Sequence, residues 1–399
     1  MKAKSLLLFS LCFSQLFGIT PQELVQTTYE KNYTISGLQK AIVGANENIV
    51  LAKKWQNPMF IFGANDIQFD DVSKRDLEAM QAQFIGITQV IPMGDKLEYK
   101  EEIALKDKEI LTFVLEDKKL ELQSKIYELC FSIAILEKKS KLLESYLDNI
   151  SKLEQLNTYL YENNQVLQTQ ALNAQIMYSK VNLQKIKLDT TIKNLYLRLE
   201  EITQEKIQHL EVDLEDFSQP LAIDFSEHPK LQIQELISKK AMTQAKLEEE
   251  NKIPDVSFNV AYFQRDNKFE DYVNFSIAVP LALYGTENSK ALRAKSKNYE
   301  EISRLKDLEK QFTTQTKLLK NEFDNSLKTI NVLTTTILPI QQKVQESMEL
   351  YNSLEKVKPQ EVINSLNEEI NYQLLLLDEQ FNYFQTLSKA IYYNKGILQ

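Results

Sequence analysis

The stretch ILPIQQKVQESMELYNSLEKVKPQEVINSLNEE, Ile337 to Glu369, reads as helix almost throughout, yet it carries Pro339 near its start and Pro359 near its middle. Proline inside a helix removes a backbone hydrogen bond and clashes with the preceding turn, at about 3 kcal/mol. A helical sequence that accepts this twice must turn or change at those points. Between the prolines, Ile340, Val344, Ser347, Tyr351 and Leu354 follow the spacing of a coiled-coil seam. The stretch therefore reads as a helical hairpin.

The rest of the chain fits long helices. Only 8 of its 399 residues are Gly and 9 are Pro, and 26% are charged against 43% hydrophobic. Such a chain folds, and few breakers mean long helical runs. The net charge of −9 speaks against a nucleic-acid binder. From Leu97 to about Tyr161 there is no Gly or Pro, and Leu136, Leu142, Leu143, Tyr146, Ile150 and Leu153 recur at helical spacing. A polar break, Glu162 to Gln165, precedes a second long helix from about Leu167 to Glu205.

Residues 1–18 read as a secretory signal, with Lys2 and Lys4 ahead of the apolar run Leu6 to Phe17, which is too short to span a bilayer as a helix. An uncleaved anchor is the alternative. Leu11 before Cys12 is not the small residue that lipidation requires. Cys130 is then left alone on a helical pattern, the setting of a buried, inert thiol.

Thr20-Pro21-Gln22-Glu23 has the form of a capping box and opens a helical stretch to about Asn57, with an interruption near Tyr33 and Gly37. Pro58 ends it, and the period changes to that of strands over 59–69 and 81–91. Pro92-Met93-Gly94 closes the second strand. The plan then repeats. Residues 206–228 read as a linker, and Pro229 to Asn251 as a helix. Pro254 introduces strands over 255–263 and 272–280, and Pro280 and Gly285 close them. Val256, Phe258, Val260 and Tyr262 alternate with Ser257, Asn259 and Ala261. Val273, Phe275, Ile277 and Val279 alternate with Asn274, Ser276 and Ala278. The halves, 19–205 and 229–399, are a duplicated unit.

Strands of about 9–11 residues suit a tilted membrane-spanning strand. Four of them cannot close a conducting barrel, and the two open edges would be left unpaired in lipid. Three copies would supply 12 strands. On this alternation Ile277 should face lipid.

This order resembles the TolC family of outer-membrane efflux channels over nearly the whole mature chain. The resemblance rests on Leu338-Pro339, the run Ile340 to Tyr351, the turn Asn352 to Lys358, the restart Glu361-Val362-Ile363, and the paired motifs Val90 to Gly94 (VIPMG) and Val279 to Gly285 (VPLALYG). It implies a mainly α fold with a small β part. Two tandem repeats of long antiparallel helical hairpins carry four transmembrane strands. The chain forms a homotrimer, with a 12-stranded barrel in the outer membrane of a Gram-negative bacterium and a periplasmic helical tunnel. It serves as the passive exit duct of a tripartite efflux or type I secretion system. Its partners are a periplasmic adaptor and an inner-membrane pump of the resistance-nodulation-division or ABC type, besides outer-membrane lipid; it has no enzymatic activity, cofactor or metal. By the same resemblance Pro339 marks a break between two helices, and Pro359 falls in the first turn of the helix returning from the hairpin tip, where a missing N–H costs little. Asn163, Asn164 and Gln165 at the first hairpin tip, and Lys356, Val357 and Lys358 at the second, are placed to meet the adaptor. Glu361 and Asn364 stand at the tunnel constriction, where the family often has two acids and this chain retains one.

No catalytic constellation is visible. His209 and His228 fall in the linker and read as exposed side chains rather than metal ligands. Two other readings fit parts of the chain. A periplasmic adaptor has one helical hairpin between Gly-rich β domains, against two hairpins here. A coiled-coil scaffold leaves the strands between Pro58 and Pro280 unexplained.

Overall fold

The computed structural model describes residues 18–69, 76–214, 221–353 and 359–394. The expected signal segment, apart from Gly18, lies outside the described residues. So do Lys356, Val357 and Lys358.

The helices are α1 (Pro21–Lys31), α2 (Tyr33–Ala52), α3 (Lys96–Glu162), α4 (Gln168–Thr203), α5 (Pro229–Glu250), α6 (Thr286–Val332), α7 (Leu338–Ser353) and α8 (Pro359–Tyr393). The strands are β1 (Met59–Asn65), β2 (Ala82–Ile91), β3 (Val256–Gln264) and β4 (Tyr272–Ala278). The order is helix, strand pair, long helical hairpin, given twice. α3 holds 67 residues, which at 1.5 Å per residue is about 100 Å. The chain divides into two compact units, one of residues 1–37, 116–228 and 310–399, the other of residues 38–115 and 229–309.

The first unit is helical. Its core packs Ile126, Cys130 and Ile133 of α3, Leu199 of α4, Phe323 of α6, and Phe384 and Ile391 of α8. The Thr20–Glu23 capping box is formed in both directions. The interruption of the first helix falls at Asn32. Its side-chain oxygen accepts from the N–H groups of Thr34 (3.0 Å) and Ile35 (3.3 Å), and its amide donates to the Ile202 carbonyl (3.1 Å). One asparagine thus ends α1, caps α2 and ties both to α4. The segment after α4 packs closely: Ile207, Leu210, Leu214 and Leu221 are buried in the core, and Ile19 forms a parallel bridge with Leu210.

His228 corrects the sequence reading. It is buried, its ring lying against Phe312 at 4.8 Å and Tyr392 at 4.7 Å, with Nε2 2.8 Å from the Tyr392 carbonyl. The aromatic side chains that enclose it come from helices remote in sequence. His209 is exposed.

Pro339 gives a second correction. No break separates α6 from α7. Residues Leu333–Ile337 form a π-helical turn, and the chain remains helical from Thr286 to Ser353. The Leu338 N–H reaches back to the Leu333 carbonyl. A π-turn relaxes the spacing where Pro339 cannot donate. The hydroxyl groups of Thr334 and Thr335 donate to carbonyls one turn back, at 2.9 and 2.7 Å. Such back-bonding bends or loosens a helix.

The second unit holds the sheet. All four strands are antiparallel, in the order β1-β2-β3-β4. β2 and β3 form the centre, so the sheet joins the two sequence repeats. β1 ends at Asn65, short of Phe69, because Asp66 turns to a left-handed conformation (φ 56°). β4 ends at Ala278 ahead of Pro280, which has no N–H for a ladder. Gly94 and Gly285, which close the strand pairs, have φ of +72° and +70°. At Gly94 an added Cβ would also meet the carboxylate of Glu250, and the positive φ favours glycine there.

Candidate membrane-facing sheet and helix tips

The register assigns every strand residue to a face, because side chains alternate along a strand. On one face stand Phe60 and Phe62 of β1, Ile85 and Ile87 of β2, Phe258, Val260 and Tyr262 of β3, and Val273, Phe275 and Ile277 of β4. Phe62 is 77% exposed, Phe275 61% and Ile277 54%. The opposite face is smaller and more polar. It carries Gly86 opposite Ala261, Thr88 opposite Asn259, and Asn274 and Ser276. The Asn259 amide donates to the Thr88 hydroxyl at 2.8 Å.

An exposed apolar face of this extent marks a surface that meets a membrane or another protein. The aromatic residues outside the strands extend this pattern. Trp55, ahead of β1, is 53% exposed, and Tyr284, after β4, is 92% exposed, with Leu281 and Leu283 beside it also open. Tryptophan and tyrosine gather where hydrocarbon meets headgroups. Among the described residues no helix is long and apolar enough to cross a membrane.

Near its loop end the smaller face is built from rings. Phe84, Phe263 and Tyr272 stack across three strands, with centroids 5.1 and 4.8 Å apart. Phe84 also covers Gly63, where a Cβ would lie 2.8 Å from the ring. The Arg265 guanidinium sits over the Tyr272 ring at 5.2 Å. The loops beyond are linked by the pair Lys268–Asp76 (3.0 Å) and by Arg265 Nη1 donating to the Ala79 carbonyl (3.2 Å).

At the opposite pole of each strand pair, Lys96 is buried and donates from Nζ to the Ile253 carbonyl and to Asp255. Burial raises the pKa of Asp255, but Lys96 and the Met93 N–H (3.2 Å) outweigh it, and the carboxyl is held below its ordinary range.

The hairpin between α3 and α4 turns through Asn163, Asn164 and Gln165, all exposed. Asn164 takes the left-handed conformation (φ 56°), and the Gln165 N–H donates to the Leu160 carbonyl at 2.8 Å. Asparagine here does what glycine does at many helix ends. Pro359 is the first residue of α8. Glu361, in the first turn, and Asn364, one turn on, are both exposed. Asn364 lines a groove of about 570 Å³ with Asn157 and Asn367; Glu361 does not. The structure therefore places these two residues on the same helix end.

α4 also leaves an apolar stripe open, formed by Leu172, Ile176, Leu183, Ile186 and Leu197. Nothing in the sequence pattern alone separates this open seam from a core seam. Sequence reading also missed the ring stack, since its members come from three strands whose register had to be known.

No family model matches the sequence, and neither does any curated protein. Solved structures do match. The Neisseria gonorrhoeae MtrE outer-membrane channel in its open state aligns at a TM-score of 0.78, with 12% identity, over 95% of this chain and 89% of that one. The Campylobacter jejuni CmeC outer-membrane channel aligns at 0.75, with 11% identity, over 94% and 85%. The Vibrio cholerae outer-membrane protein VceC aligns at 0.73, with 11% identity, over 94% and 96%. The chain therefore has the fold of the TolC-like outer-membrane channels.

Proposed function

We propose that this chain is the channel subunit of an efflux or secretion assembly in the outer membrane of a Gram-negative bacterium. The observation that carries the reading is the sheet: one face mostly apolar, with Phe62, Phe275 and Ile277 exposed, and two edges, β1 and β4, with no neighbouring strand among the described residues. In lipid an open edge leaves backbone groups unsatisfied. Pairing β4 of one copy with β1 of the next removes every edge, and three copies make a 12-stranded barrel, within the range of outer-membrane barrels. The open stripe on α4 supports the same assembly, since a second copy would cover it.

In this reading the helices continue the barrel as a duct through the periplasm. Asn163, Asn164, Gln165, Lys356, Val357 and Lys358 meet a periplasmic adaptor, and Glu361 and Asn364 line the mouth. An inner-membrane pump supplies the energy, and the chain performs no chemistry. MtrE and CmeC are outer-membrane channels by name, and their shared fold favours this role.

The test is native mass of the detergent-extracted outer-membrane fraction together with planar-bilayer conductance of the same sample. A trimer forming discrete pores is expected. A water-soluble monomer without conductance would overturn the reading.

A further inference from the structure

Although the chain is acidic overall, the second unit gathers cations around one groove. Its volume is about 550 Å³, and it lies between the start of α3, the end of α5 and the start of α6. Lys100, Arg293 and Lys297 line it, with Glu248 the one acid; Ile103 and Leu247 supply apolar wall. Lys297 is already paired with Glu300 and Glu301, both at 2.9 Å, and Glu248 accepts from the Asn251 amide at 3.2 Å. Lys100 and Arg293 are in no ion pair among the described residues. Lys100 is within electrostatic reach of Asp255, which Lys96 already engages.

The groove's position in the fold indicates its ligand. Lys100 stands one helical turn beyond Lys96, the residue bonded to the chain just ahead of β3. Arg293 stands two turns into α6, which starts two residues after Tyr284. At 1.5 Å per residue Lys100 lies about 6 Å beyond Lys96 and Arg293 about 10 Å beyond the start of α6, and side chains on a helix lean back towards its N-terminus, here the end joined to the strands. The headgroup layer is about 5–7 Å deep beyond the hydrocarbon. If the sheet spans the membrane as proposed above, the groove opens at the periplasmic edge of the headgroup layer, where these long side chains reach a headgroup. Trp55, Tyr284, Leu281 and Leu283 mark the adjoining interface.

We propose that this groove binds a phosphate-bearing anion, with the headgroup of an anionic phospholipid as its source. Two unpaired cations would hold the phosphate, and Ile103 and Leu247 would meet the start of an acyl chain. Basic pockets of this kind select anionic lipid at membrane surfaces.

The test is native mass spectrometry of the full chain in non-ionic detergent with phosphatidylglycerol or phosphatidylcholine, followed by conductance. The wild type should retain phosphatidylglycerol preferentially. The double variant Lys100→Gln/Arg293→Gln should lose roughly 30-fold of that preference, and Lys306→Gln should lose none. If inorganic phosphate at equal concentration displaces the lipid, the source is soluble phosphate; if it does not, the source is lipid. Unchanged retention in a double variant that still forms pores would overturn the site and leave the channel reading standing. Absence of pores in the wild type would sink the channel reading instead. Should the double variant fail to fold, Arg293→Lys must keep the preference and Arg293→Gln must weaken it.

Discussion

The rings of Phe263 and Tyr272 lie face to face, their planes 2° apart and their centroids 4.8 Å apart. That separation is the spacing between neighbouring strands, so the pair marks the β3–β4 register. Phe84 extends the stack to β2 and closes over Gly63 of β1. Phe263→Ala should destabilise the folded chain by about 3 kcal/mol, and Phe263→Tyr by much less. Gly63→Ala should cost about 1–3 kcal/mol by lifting the Phe84 ring. Thermal unfolding in detergent would check both, and an unaltered midpoint for Phe263→Ala would contradict the stack.

Ile277 stands opposite Phe258 on the apolar face. Ile277→Arg should lower stability in the membrane by roughly 2–4 kcal/mol if the position is near the midplane. Ser276→Arg, one residue along and on the other face, should be tolerated better. Equal trimer yields from the two would show that the faces have been assigned the wrong way round.

The Lys96–Asp255 pair makes stability depend on acid. The carboxyl of Asp255 is held below its ordinary range in the folded chain. Its contribution is therefore complete above the usual carboxylate range, and is lost as pH falls through the depressed folded value. Lys96→Met should cost roughly 1–2 kcal/mol near neutrality and flatten this part of the acid limb. Melting curves from neutral pH downward, for wild type and variant, measure both effects.

Cys130 is fully buried in the first unit's core, and burial pushes its thiol up to about 12. A thiol reagent at neutral pH should leave it unmodified until the chain unfolds, since the thiolate is the reactive form. Fast labelling of the folded protein would mean that this core opens.

Three copies of Glu361 would set three carboxylates around the mouth of the duct. Glu361→Gln should lower the channel's preference for cations, most clearly at low salt. Reversal potentials under a salt gradient give the answer, and identical values for wild type and variant would remove Glu361 from the constriction.

Much of the fold could be read from residue order, for reasons that are local. Alternation at Val256–Tyr262 and Val273–Ile277 needs only the two-residue period of a strand. Gly94 and Gly285 mark positive φ, and Thr20–Glu23 is a cap complete within four residues. What escaped depends on distant parts of the chain. His228 reads as polar and exposed until Phe312 and Tyr392 close over it. Asn32 reads as an ordinary polar residue until its amide finds Ile202. At Pro339 the sequence shows that a hydrogen bond is missing, but not whether the helix breaks or widens. The candidate site divides the same way. The apolar face was legible, whereas the groove of Lys100 and Arg293 needs three helix ends brought together.

The π-turn at Leu333–Ile337 has a consequence for how its rod meets its neighbours. It takes up one residue more than an α-turn for the same advance, and so rotates everything beyond it by about 100°. The stripe carrying Phe323 and Ile330, which enters the core, is thereby out of phase with Ile340 and Val344, which face outward. One uninterrupted rod thus acts as a vernier between two registers. It packs into the core ahead of the extra residue and leaves a differently aimed seam exposed after it.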